Sequence, residues 1–276
     1  GVGDVLVARY SYGNDFEWAT LIDAALPVVV SSMAMHPVTD TLWLSGHITN
    51  VVNAFTFGSL GHVNDNKVFF LDHHGAVMFE YTFNIPPTAT IDYLSLSFFG
   101  ELSPAGEWVQ LYFLDMTTWR ATSNEWVTLQ DLAFDSTGAL YGCGFLSTNQ
   151  TGETITMYRA DLLNGSTVTA MTTLARDRLD LTTPAGTAGA GGGLAKASRT
   201  QGFYFSLDTS TNPVTVNYWR TDEGVDEPTL GGSAQKPWRL GSVAVDQSNR
   251  VFLMGWDDWD IGTIGTNPDA GYKRNF

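Results

Sequence analysis

Cysteine is almost missing from this chain. Cys143 is the only one in 276 residues, so no disulfide can form within it and stability has to come from a packed core. Basic residues are scarce too: 14 lysines and arginines stand against 29 carboxylates, for a formal charge of −15. Without a concentrated basic surface, nucleic acid is set aside as a partner and an anionic membrane surface is disfavoured. The longest apolar run, residues 24–30, is broken by Pro27 and falls far short of the ~20 residues a spanning helix needs, so no membrane insertion is expected. No sustained 3.6-residue apolar period is present, which argues against helices. The fingerprints G-x-S-x-G, H-E-x-x-H, the P-loop and G-x-G-x-x-G are all lacking. The glycine run at 189–193 has no Lys-Ser/Thr to cradle a phosphate.

What is present is aromatic, acidic and repetitive. Nine Trp, ten Tyr and sixteen Phe accompany 28 glycines. Four segments share one pattern: MAMHPVTDTLWLSG (33–46), LAFDSTGALYGCG (132–144), LAKASRTQGFYFS (194–206) and VAVDQSNRVFLMG (243–255). Each reads as a β-hairpin, with an apolar arm, a polar turn and an aromatic or β-branched arm. Ala34, Ala133, Ala195 and Ala244 mark equivalent places, and a degenerate fifth copy fits around Ser97 within 94–115. Further strands are expected at 67–72 and 76–83, at 154–160 and 167–174, and at 214–220. The stretch 182–193 reads as a loop.

A hairpin repeated along a whole chain signals a repeat architecture. The expectation is one all-β domain spanning 1–276, a β-propeller of five four-stranded blades. Its last hairpin, 240–256, has no evident outer strands of its own. The N-terminal segments 4–10 and 16–22 are therefore expected to complete that blade and close the ring. Residues 257–276 form a tail that either lies on the propeller face or reaches a neighbouring subunit.

The segments VAVDQSNRVFLMG and LAFDSTGALYGCG resemble the bacterial SBBP β-propeller repeat and, more loosely, NHL-type repeats. The copies at 33–46 and 194–206 lack the repeat's Asp. The resemblance covers four short segments. It implies a propeller, and because such repeats occur in secreted and surface proteins of no single activity, it implies no chemistry.

Candidate site residues follow from the repeat. Asp135 and Asp246 hold the same place, and His36 replaces them in the first copy. At a channel mouth these three would suit a cation or another ligand; the competing reading is that each caps its own turn. Trp256, Asp257, Asp258 and Trp259 alternate indoles with carboxylates, which suits a sugar or Ca²⁺, or else an acidic loop with packed tryptophans. The five histidines, His36, His47, His62, His73 and His74, match no metal-ligand spacing, and neither a metal nor a cofactor is expected. Cys143 reads as a buried structural thiol. Asn149 and Asn164 head glycosylation sequons.

The function expected from these features is non-catalytic: an extracellular structural or interaction module, a repeating subunit of a surface or filamentous assembly. Its partners would be copies of itself or other extracellular proteins. A carbohydrate-binding propeller that takes glycans is the alternative. A glycoside hydrolase is third, with its carboxylates drawn from Asp4, Asp92, Asp135, Asp246, Glu101 and Glu107.

Overall fold

The computed structural model describes residues 4–49, 55–56, 66–84, 90–91, 95–116, 126–147, 154–175, 200–211, 214–221 and 238–257. Within them the chain is all-β, with eighteen strands and no helix.

Its local rule is one five-residue turn. At Asp72, Asp135 and Asp246 the amide donates to the carbonyl four residues ahead, and the carbonyl accepts the amide three ahead. The carboxylate Oδ1 accepts the amides two and four residues ahead. Ser11 and Ser103 open the same turn with a hydroxyl that accepts the amide four ahead. The fourth turn residue has positive φ every time: Asn14, Gly75, Gly106, Gly138 and Asn249. Only glycine or asparagine fills it, the residues that tolerate the left-handed region most cheaply. His36 opens a version one residue longer, closing on Thr41, with the positive φ moved to Asp40.

These turns join antiparallel hairpins into stacked sheets. The first sheet runs β1 (Val5–Tyr10), β2 (Phe16–Ala24), β6 (Lys67–Leu71), β7 (Val77–Thr82). The second runs β3 (Val28–Met35), β4 (Leu42–Thr49), β9 (Ser95–Leu102), β10 (Trp108–Met116), β13 (Thr154–Asp161), β14 (Val168–Ala175). The third runs β11 (Trp126–Phe134), β12 (Ala139–Ser147), β15 (Thr200–Asp208), β16 (Thr215–Thr221); a single parallel bridge, Trp126 to Ser95, links it to β9. The hairpin of β17 (Trp238–Val245) and β18 (Val251–Asp257) packs on β11, β12 and β15. The short strands β5 (Phe55–Thr56) and β8 (Thr90–Ile91) pair with each other.

The layers meet through aromatic faces. Between the first and second sheets, Phe70 meets Trp108 at 5.0 Å and Phe98 at 5.4 Å, and Tyr81 stacks on Phe113 at 3.8 Å. Between the second and third, Phe99 stacks on Phe205 at 5.3 Å, backed within the second sheet by Tyr112 at 4.5 Å from Phe99 and by Trp43 beside them. Strand β9 has both faces covered, so all eight of its residues are buried and its polar–apolar alternation is lost. Under β17 and β18, Cys143, Leu240 and Val243 make a small separate core.

The hairpins fall into two kinds by where they bulge. β3–β4, β11–β12 and β17–β18 carry the extra residue on the first strand, at Ser31, Gln130 and Gly241. Each lies three residues before Ala34, Ala133 or Ala244, so three of the four copies seen in the sequence are one structural unit. β1–β2, β6–β7 and β9–β10 bulge on the second strand instead, at Glu17, Met78 and Val109. The segment around Ser97 belongs to this second kind and pairs with the outer edge of β4, so it is not a fifth copy of the first unit.

Two other expectations also change. In the copy at 194–206 the expected turn residues Thr200 and Gln201 belong to a strand: Thr200–Asp208 is continuous, paired along its length with β12 and from Phe203 onward with β16. Residues 194–199 lie outside the described residues. The N-terminal strands do not pair with the hairpin at 240–256. β2 pairs with β6, and its buried face (Trp18, Thr20, Ile22, Ala24) turns to the core. The Trp18 indole N–H and the Arg9 guanidinium both donate to the Pro104 carbonyl, which pins this hairpin over the turn at 103–107.

Candidate functional site

Two places gather polar groups from several hairpins. The first lies beside the bulges. Strand β11 sits between β3 and β17, and Asp131 follows its bulged residue. Asp131 Oδ1 accepts the Ser32 hydroxyl at 2.6 Å and the Leu132 amide at 2.9 Å. Oδ2 accepts the Ser242 hydroxyl at 2.7 Å and the Val243 amide at 2.9 Å. Ser32 and Ser242 hold the place in β3 and β17 that Asp131 holds in β11. One carboxylate thus ties three hairpins together: three of its four hydrogen bonds cross to β3 and β17, and the fourth, from Leu132, stays within β11. The sequence reading missed Asp131, although the signal was there: the residue two before Ala34, Ala133 and Ala244 reads Ser, Asp, Ser, with Gly193 in that place before Ala195. Cys143 pairs across from Asp131 and is fully buried. Burial, then the Asp131 charge, pushes its thiol well above the usual range, so it is an inert packing group.

The second place is the turn end of the same hairpins. Asp135 is buried, and its carboxylate also accepts the Thr137 hydroxyl at 2.7 Å and the Tyr141 hydroxyl at 3.2 Å. Burial alone would raise its pKa, but the bonds from Thr137, Ala139 and Tyr141 outweigh it and hold the group below the ordinary value. Asp246 is held low by the amide and guanidinium of Arg250, whose Nε lies 2.6 Å from Oδ2. His36 Nδ1 accepts the Val38 and Thr39 amides at 3.1 Å, and Nε2 lies 3.1 Å from Thr209 Oγ1. Its ring also covers Gly138, where a Cβ would meet Nε2 at 2.8 Å.

The turns of Asp135 and Asp246 touch through Ser136 and Asn249 Oδ1, at 3.0 Å from the serine hydroxyl. The structure therefore brings His36, Asp135 and the Asp246 turn to one end of the stack, while each capping group serves its own turn. No group of three or more His, Cys, Asp or Glu side chains is placed to hold a metal among the described residues.

The remaining candidates are dispersed. Trp256 and Asp257 end β18, paired with Arg239 and Trp238. Asp258, Trp259, Asn149, His62 and Asp92 lie outside the described residues. Asn164 is exposed in the β13–β14 turn, where its Nδ2 donates to Asp161 Oδ2 at 2.9 Å. His47 Nδ1 meets Ser31 Oγ at 3.2 Å, and burial pushes its pKa down to about 4. The His73 and His74 rings lie 3.9 Å apart in the Asp72 turn. Among the glycosidase carboxylates, Glu101 is buried and accepts Gln110 Nε2 at 2.7 Å. Burial and a hydrogen bond with Asp4 raise the pKa of Asp23.

A groove of about 500 Å³ opens between β14 and β16, which end the second and third sheets among the described residues. Thr169, Met171, Thr172, Asn217 and Trp219 line it, with Arg159 at one end. The Arg159 guanidinium is committed to Gln110 Oε1 at 2.9 Å and to Asp161 Oδ2 at 3.1 Å. Among the described residues the buried Trp219 indole N–H has no partner. The lining is amphipathic, and the Arg159 charge is neutralised by Asp161. Strands more than forty residues apart build it, so no local pattern marks it. Comparison of the chain with protein-family models and with curated protein sequences finds no match.

Proposed function

We propose that this protein is a non-catalytic, extracellular structural module built on propeller principles, in which blade-like sheets stack around a common inner end. A single propeller-like ring of such sheets is the architecture we infer for the full chain. It works by presenting a rigid surface to copies of itself or to other extracellular proteins. The observation that carries this reading is the Asp131 junction: three equivalent hairpins meet there, and their polar groups are spent on holding the scaffold rather than left poised for chemistry. The extracellular assignment rests on the repeat resemblance and on the sequons at Asn149 and Asn164.

Cryo-electron microscopy of the protein from its native source tests both parts. Filaments or a lattice, with sugar density at either asparagine, support the reading. Dispersed monomers without glycan overturn the assembly and the location together.

A second reading, carbohydrate binding, is favoured by the β14–β16 groove. Its hydroxyls, amide and indole N–H suit a neutral polyol, and its volume suits one or two sugar rings. Saturation-transfer NMR with glucose, galactose, mannose and N-acetylglucosamine tests it. Transfer that is lost in Trp219→Ala supports it; no transfer from any of the four removes it.

A further inference from the structure

Among the described residues, the five turns of this five-residue geometry are capped by oxygen, and the His36 turn is its one-residue-longer relative. The carboxylates of Asp72, Asp135 and Asp246 and the hydroxyls of Ser11 and Ser103 remain acceptors between about pH 5 and 8. That longer turn is capped by a nitrogen that can take a proton. His36 Nδ1 receives two amide donors, from Val38 and Thr39, so it must present its lone pair. The ring proton then sits on Nε2 and is donated to Thr209 Oγ1, whose own proton goes to the Gly138 carbonyl. Every donor in this chain has one acceptor, and the direction of each bond is settled by the two backbone amides.

A proton added to Nδ1 reverses that logic. It sets an N–H against two N–H groups and places a charge on a side chain that is 7% exposed. Phe134 packs against the ring in an edge-type contact at 4.8 Å and offers no oxygen acceptor. The charged groups on the elements packed around it are Glu101 of β9, Asp135 in the turn that holds Gly138, and Asp208 beside Thr209; Asp40 lies in its own turn. Glu101 favours the charged ring, but burial against the third sheet outweighs it.

We propose that His36 is an acid-sensitive latch: protonation of Nδ1 releases the 36–41 turn and frees the tip of the β3–β4 hairpin from Gly138 and Thr209, while the oxygen-capped turns stay closed. The device needs no partner and stands apart from the assembly and sugar readings.

Nuclear magnetic resonance on the intact ¹⁵N-labelled chain tests it. At pH 7.5 the ring should be the Nε2–H tautomer. Between pH 7.5 and 5 the Val38 and Thr39 amides should lose at least tenfold in exchange protection, after correction for intrinsic rates, relative to Thr137 and Ser248 in the Asp-capped turns. In His36→Asn the amide oxygen replaces Nδ1 as an acceptor that does not titrate, and this loss should vanish. An Nδ1–H tautomer at neutral pH, or the same acid response at Val38 and Thr137, overturns the latch. Both are read on the wild-type protein, so the outcome does not depend on the variant folding.

Discussion

The interface between the first and second sheets and the junction of the three inner hairpins solve one problem in opposite ways. Phe113 touches Phe70, Phe79, Tyr81 and Phe83, and the stabilisation there comes from apolar area and ring packing. At Asp131 little apolar area is available, because Ser32, Asp131 and Ser242 sit where three strands converge. There, directed hydrogen bonds fix how far apart the hairpins stand. Area tolerates small shifts of one sheet on another, whereas a carboxylate with four donors does not. The aromatic interface supplies stability and the polar junction supplies geometry.

That contrast can be broken from the aromatic side first. Phe113→Ala should cost about 3–5 kcal/mol, the range for removing a fully buried ring, and urea denaturation would measure it. A loss near 1 kcal/mol would mean that the interface relaxes and is not close-packed. Asp131→Ala should cost less, about 2–3 kcal/mol, by leaving the Val243 amide and two serine hydroxyls without their acceptor. Its signature should be local: hydrogen exchange should rise in β17–β18 before the first sheet responds. Uniform loosening would merge the two interfaces into one cooperative unit.

Acid gives a third test, of similar or smaller size. His47 is neutral in the fold, with a pKa of about 4, against an ordinary histidine value near 6.5. A lowered folded pKa means that the unfolded chain binds the proton first. The contribution is therefore complete above about pH 6.5 and is lost as pH falls towards 4, roughly 2–3 kcal/mol in all. Melting curves across that window should show the slope, and His47→Gln should flatten part of it. The smallest effect is expected for Asp246→Ser, which installs the cap already used at Ser11 and Ser103. Calorimetry should find the melting temperature nearly unchanged. A large drop would show that the Arg250 pair, not the cap, holds that turn.

Much of the fold was legible in the sequence. The hairpins at 33–46, 132–144 and 243–255 were visible because alternation, turn residues and closing glycines all lie within about a dozen residues of one another. The capping role open to Asp135 and Asp246 was legible for the same reason. Pairing order was not. Strand β4 could take its outer neighbour from 67–71 or from 95–102, since both are apolar and of suitable length, and it takes the second. The segment 194–206 imitates a hairpin because its polar Ser-Arg-Thr-Gln reads as a turn, yet Thr200 and Gln201 extend a strand that already has two neighbours. The Asp131 junction was half legible, as a repeating Ser-Asp-Ser position whose meaning depends on three strands meeting.

By itself the sequence determined the local grammar: an all-β chain, hairpins closed by Asx- and Ser-capped turns, and glycine or asparagine wherever a five-residue turn needs positive φ. These are contacts between residues a few positions apart, and their energies do not depend on the rest of the molecule. Only the tertiary structure decided which hairpins share a sheet, that β1–β2 joins β6–β7, that Asp131 rather than Asp135 or Asp246 binds three hairpins together, and that β14 and β16 face each other across a groove. Any apolar strand can pair with several others. The choice falls to whichever arrangement buries Phe70, Phe113, Trp43 and Phe205 on both sides at once, and no window of sequence contains that sum.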